Sequence, residues 1–264
     1  MWTVPKTSRP WPRAQATACA GRPTSPSPPE QLNAVTPEPL LQHWPTPMGV
    51  HRFAQAHEVN PLLVRVFQSM RATDPEARTG AAFYASRDDL LQRVRLAEWE
   101  QLIAFLVDGL RQTVVLTNQG AWPESRPGLQ IALRGIWFQI SRQGSHHDVH
   151  THGNCSWSGV YCVQVDDELK RAAHPVLGTA NGVTRFYGPH FNHLGGAHMD
   201  FGNAYLQSAH VDVAPQPGQM VVFPSWLPHQ AMPYQGEADR IIVSFNASVH
   251  AASGSDQLHV YAHV

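Results

Sequence analysis

Cysteine is scarce in this chain of 264 residues: Cys19, Cys155 and Cys162 are its only three, and no two form a CxxC pair. An odd, scattered set argues against a disulfide framework and a thiolate zinc site, and points to a reducing compartment, the cytoplasm. Charge is scarce too. Only 15% of residues are Asp, Glu, Lys or Arg and the formal net charge is -1, so no basic field draws nucleic acid or an anionic membrane. No run approaches the ~20 apolar residues of a membrane span, and the N-terminus lacks the compact apolar stretch of a signal peptide. Repeats, heptads, a Gly-rich phosphate loop, HExxH and a nucleophile elbow are missing as well, which removes the reaction classes they serve.

Histidine and proline, by contrast, are plentiful. Sixteen histidines stand against nineteen Lys plus Arg, and imidazole is the commonest metal ligand. Residues 1–38 hold eight prolines amid Ser, Thr, Ala and Arg, a composition that buries little apolar surface and reads as a disordered leader. A single domain is expected over 39–250, followed by a short tail, 251–264.

Within that domain Asn60 and Pro61 look like an N-cap and first-turn proline ahead of Leu62, Leu63, Val66, Phe67 and Met70. Ser86 and Asp89 read as a capping box before Leu90, Leu91 and Val94, and a further helix carrying Leu102, Leu106 and Leu110 runs to about Thr117. Beyond Pro127 the pattern changes to short strands over 129–141, 157–165, 183–188, 205–213, 219–224 and 240–247. Helices first and strands afterwards imply an α+β domain built on a β-sandwich or jelly roll.

The segment HHDVHTHGNCSWSGVYCVQV concentrates the chemistry. If it is extended, His146, Asp148, His150 and His152 point to one face, because strand side chains alternate. Two adjacent ligands hold a transition metal poorly, and His229, in PGQMVVFPSWLPHQAMP, is the best-placed third. Eleven residues later Arg240 opens the apolar strand RIIVSFN, where a buried guanidinium needs an anion. Close ligands, a remote histidine and a downstream arginine have the layout of a facial metal triad with open positions plus a carboxylate clamp.

Taken in order, WPTPMGVHRF, HTHGNCSWSGVYCVQV, PGQMVVFPSWLPHQAMPY and DRIIVSFN resemble the 2-oxoglutarate and iron(II)-dependent oxygenases, in particular a bacterial and phage branch of them, over roughly residues 44–247. The resemblance implies a double-stranded β-helix (a cupin-like jelly roll) with the N-terminal helices packed on one sheet. It implies Fe(II), 2-oxoglutarate and O2 as cofactor and co-substrates, with oxidative decarboxylation coupled to hydroxylation of a small-molecule or peptide substrate. By the same resemblance His150, His152 and His229 are the metal ligands, Arg240 binds the far carboxylate of 2-oxoglutarate, and Tyr161 and Asn154 are further co-substrate contacts.

Two departures from that pattern keep alternatives open. The first ligand pair usually contains a carboxylate, and here the aligned residue is His152; Asp148 could restore the anion, with His146 or His150. Many relatives place a hydroxyl two residues after the arginine, where this chain has Ile242; Ser244, on the same strand face, could substitute. A three-histidine dioxygenase without 2-oxoglutarate, and a non-catalytic cupin-like metal-binding module, are the competing readings. Because imidazole binds metal only when neutral, metal affinity is expected to fall as pH drops through the histidine range. The loop histidines His190, His193 and His198 and a nucleophilic Cys155 are expected to have no role.

Overall fold

The computed structural model describes residues 45–77, 81–119, 121, 128–189 and 209–251. The leader expected over 1–38, the tail beyond 251 and the loop histidines His190, His193 and His198 lie outside them.

Among the described residues ten strands form two sheets. The larger has the order β1 (Gly49–Arg52), β8 (Gln219–Pro224), β5 (Trp157–Gln164), β10 (Arg240–Ala251), β3 (Leu129–Ser141) and β2 (Phe83–Ala85). The smaller has the order β4 (Ser145–His150), β9 (His229–Tyr234), β6 (Thr184–Tyr187) and β7 (His210–Val213). All pairings are antiparallel. The eight strands from β3 to β10 thus divide into β3-β10-β5-β8 on one side and β4-β9-β6-β7 on the other, which is the double-stranded β-helix. β1 and β2 extend the large sheet at its two ends.

Strand alternation sorts the large sheet into two faces. Ile136, Phe138 and Ile140 of β3, Tyr161 and Val163 of β5, Met220 and Val222 of β8, and Ile241, Val243 and Phe245 of β10 are buried in one cluster with helical side chains. Helices α1 (Ala56–Thr73) and α3 (Ala97–Thr117) cover that face through Leu63, Phe67, Leu102, Leu106 and Leu110, apolar positions recurring at helical spacing. Fully burying one such side chain contributes about 1.5–3 kcal/mol. The opposite face looks toward the small sheet, where Phe186, Val221, Phe223 and Leu227 pack together.

Strand expectations hold closely at β3, β5, β8 and β10, whereas helix starts do not. Helix α1 begins at Ala56, so Asn60 lies inside it and caps nothing. Its amide donates to the Val163 carbonyl at 2.9 Å and its carbonyl accepts from the Tyr161 hydroxyl at 2.7 Å, tying α1 to β5. The capping box also fails to form. Ser86 Oγ donates to the Arg87 carbonyl and accepts from the Phe138 amide, and the helix that follows, α2, is one turn, Leu90–Arg93. Tertiary partners outcompete local caps at both places.

Candidate metal centre

The ligand segment is a strand with one residue too many. On β9, His229 and Ala231 are two apart; their partners on β4, His150 and His147, are three apart. Such a bulge rotates the chain, so His147 and His150 both face the cleft between the sheets, with ring centroids 4.1 Å apart. Simple alternation, which put His146 and Asp148 beside His150, is corrected here. Asp148 is 94% exposed at its side chain and pairs outward with His146 at 3.5 Å, so it cannot supply the missing carboxylate.

His152 lies past the end of β4. Its position is set by its amide, which donates to the Ser225 carbonyl at 2.9 Å. His229 is the first residue of β9, 4% exposed, with the Phe223 ring edge-on at 4.6 Å and Phe186 at 5.8 Å. The three rings converge: ligand atoms of His150, His152 and His229 all lie within 4.8 Å of one another, and the Nε2 atoms of His152 and His229 are 3.3 Å apart. His150 Nδ1 donates to the Asp148 carbonyl at 2.7 Å and His229 Nδ1 to the Leu227 carbonyl at 2.9 Å. A carbonyl only accepts, so each ring carries its proton on Nδ1 and presents Nε2 as a lone pair.

Electrostatics favour the neutral, ligating form. Burial pushes the His229 pKa down to about 3, the neighbouring His150 and His152 adding to the effect. Burial, then His150 and His147, lower His152 to about 4. His147 is lowered as well, chiefly by burial. The expectation that protons displace metal near the ordinary histidine pKa is therefore revised downward for two of the three ligands.

Arg240 heads β10 with the parity of Ile242 and Ser244, all three lining the cleft that holds the histidines. It is 2% exposed, and its Nε and Nη2 atoms have no hydrogen-bond partner among the described residues. Pairing with Glu237 or Asp239 is not observed; those carboxylates go to Lys170 and Arg142. Burial depresses the guanidinium pKa, the largest influence on it, yet arginine stays charged in proteins. An unpaired buried cation 2% exposed is a standing cost unless an anion joins it.

Two expected contacts are not at the site. Tyr161 has the wrong strand parity: Val160 and Cys162 face the small sheet, while Tyr161 points to the helices, its ring edge-on to Phe53 and Phe105 and its hydroxyl on Asn60. Asn154 is exposed in the β4–β5 turn at φ 56°, a backbone conformation asparagine tolerates. In their place the cleft offers Gln139, Thr184 and Ser244, all buried. Gln139 was detectable from β3, where Trp137, Gln139 and Ser141 alternate with Ile136, Phe138 and Ile140. His147 was not, since only the bulge turns it inward.

Residues 135–246 match the family described as "Putative 2OG-Fe(II) oxygenase". Over that segment the chain is similar to the 2OG-Fe(II) oxygenases. No curated protein sequence matches it. Among solved structures it is similar to a prolyl-4-hydroxylase from Pseudomonas putida at 15% identity, covering 77% of this chain and 93% of that one with a TM-score of 0.48. It is also similar to AviO1 from Streptomyces viridochromogenes at 11% identity, 79% and 93% coverage and a TM-score of 0.49. HygX from Streptomyces hygroscopicus, solved with nickel and 2-oxoglutarate bound, gives 12% identity, 77% and 82% coverage and a TM-score of 0.48.

A 2OG-Fe(II) oxygenase uses Fe(II), 2-oxoglutarate and O2, and the residues of this cleft fit those groups. The Nε2 atoms of His152 and His229, 3.3 Å apart, would let both side chains hold one ion. The unpartnered guanidinium of Arg240 in the same cleft matches a carboxylate.

Proposed function

We propose that His150, His152 and His229 hold Fe(II), that Arg240 clamps the distal carboxylate of 2-oxoglutarate, and that the enzyme hydroxylates a small-molecule or peptide substrate in the cytoplasm. The observation that carries this reading is the buried, unpartnered Arg240 lining the same cleft as the three imidazoles. When bound, iron and 2-oxoglutarate supply dioxygen activation, with the 2-oxoglutarate ending as succinate and carbon dioxide.

The chain's own residues bind, orient and exclude water. Carbonyls of Asp148 and Leu227 fix the tautomers of two ligands. The rings of Phe186 and Phe223 hold water away from His229, and Arg240, lining the same cleft, orients the co-substrate. No general base is required of the protein. Since the ligand set is three neutral imidazoles, the site lacks the usual carboxylate charge, and the 2-oxoglutarate carboxylate that Arg240 does not pair would offset it. No helix of the described residues is long and apolar enough to cross a membrane.

The test is anaerobic: add Fe(II), then 2-oxoglutarate, and follow the weak visible metal-to-ligand charge-transfer band in wild type and Arg240→Ala. A band that needs both additions and is lost from the variant is expected. Its absence from wild type would favour a three-histidine dioxygenase without 2-oxoglutarate, or a metal-binding module, over this reading.

A further inference from the structure

His152 sits beyond the last residue of its strand, so something other than sheet pairing must hold it. The turn between β8 and β9, Ser225 to Pro228, touches two of the three ligands at once. The Ser225 carbonyl accepts the His152 amide at 2.9 Å, and the Leu227 carbonyl accepts His229 Nδ1 at 2.9 Å. Ser225 is itself pinned from both sides. Its amide donates to the Ser156 carbonyl at 3.0 Å, and its hydroxyl lies 3.0 Å from Cys155 Sγ and 2.9 Å from Ser158 Oγ, which in turn donates to Asn246 Oδ1 at 2.8 Å. Ser225 and Ser158 are 2% and 1% exposed, so water does not substitute for these bonds.

Counting protons gives the chain a direction. Ser158 spends its one hydrogen on Asn246, so it must accept from Ser225. Ser225 then has no hydrogen left for Cys155, and the thiol must donate to it. The run is Cys155 S–H to Ser225 O–H to Ser158 O–H to Asn246, from the loop that carries His152 to β10, the strand that carries Arg240. Runs with one direction reinforce each bond in turn.

We propose that Ser225 is a positioning residue that fixes His152 and His229 against each other through one turn, with its hydroxyl as the anchor. This rests on the three-histidine metal reading. Outer-shell partners of metal ligands are typically worth 10–100-fold in metal affinity, and that is the loss expected for Ser225→Ala.

The probe is Co(II) added to the purified metal-free protein, with affinity taken from titration and ligand geometry from the visible d–d bands. Ser225→Ala is expected to weaken Co(II) binding about 10–100-fold and to change the bands. Ser158→Ala, which removes the acceptor and leaves Ser225 in place, should shift both in the same direction by a smaller factor. Cys155→Ser, which keeps a donor, should preserve wild-type affinity and bands. Asn60→Ala, a buried polar loss on the helix side of the large sheet, should lower the melting temperature and leave Co(II) binding untouched. Wild-type affinity and bands in a folded Ser225→Ala would overturn the proposal, as would an equal loss in Asn60→Ala, since the effect would then follow stability alone. Co(II) binding by wild type that ignores His229→Ala would instead sink the metal reading beneath it.

Discussion

Replacing Arg240 by Met separates what the guanidinium costs from what it does. Its Nε and Nη2 atoms are buried without partners among the described residues, and exchanging a buried charge for a packed apolar side chain is often neutral or stabilising, by up to about 4 kcal/mol. With co-substrate the sign reverses. A buried, bidentate guanidinium–carboxylate contact is worth about 2–5 kcal/mol on truncation, roughly 30- to 5,000-fold in Kd. At a 2-oxoglutarate concentration of 100 Kd the wild type gains about 2.7 kcal/mol, and a variant binding about 100-fold more weakly gains about 0.4 kcal/mol. For a domain of this size that is a melting shift of roughly 5–10 °C against about 1 °C. The assay is thermal unfolding with Mn(II) as a redox-silent metal, with and without 2-oxoglutarate. An Arg240→Met protein that keeps the full ligand-induced shift would show that the co-substrate binds elsewhere. One that unfolds in the free state would show that Arg240 has a structural partner.

His229→Ala should lower metal affinity by more than ~100-fold, beyond the cost of losing an outer-shell partner, whereas Asp148→Ala, an exposed position, should leave it unchanged; a competition titration reads both. The metal-free fold should lose stability on acidification. The His152 and His229 pKa values are depressed to about 4 and about 3, so below the ordinary histidine value of about 6.5 the unfolded chain takes up protons that the folded one refuses. Stability is therefore full above that value and declines as pH falls toward 4 and then 3, which urea midpoints across that window would detect. For the same reason these two imidazoles stay available to metal at pH 5. Tyr161→Phe should cost about 1–3 kcal/mol by leaving the Asn60 carbonyl unpaired, with 2-oxoglutarate affinity unaltered; a changed affinity would return Tyr161 to the site.

By itself the sequence determined strands β3, β5, β6, β8 and β10, the remote pairing of a histidine cluster with His229, and the buried arginine that follows. Those features are written locally. Short β-rich runs bounded by Gly, Pro and Asn mark β3, β5, β8 and β10, and an arginine opening an apolar strand needs an anion in any fold. Helix starts were less legible, because Asn60 and Ser86, which read as local caps, are spent on contacts with β5 and β3 made across the chain. Only the tertiary structure decided which neighbours of His150 share its cleft. A single extra residue in β4 reverses the side-chain parity that alternation assumes, bringing His147 in and sending Asp148 out. Parity of another kind removed Tyr161, one step along β5 from the face that looks into the cleft. Cross-strand register depends on partners far away in sequence, and no reading of one segment alone contains it.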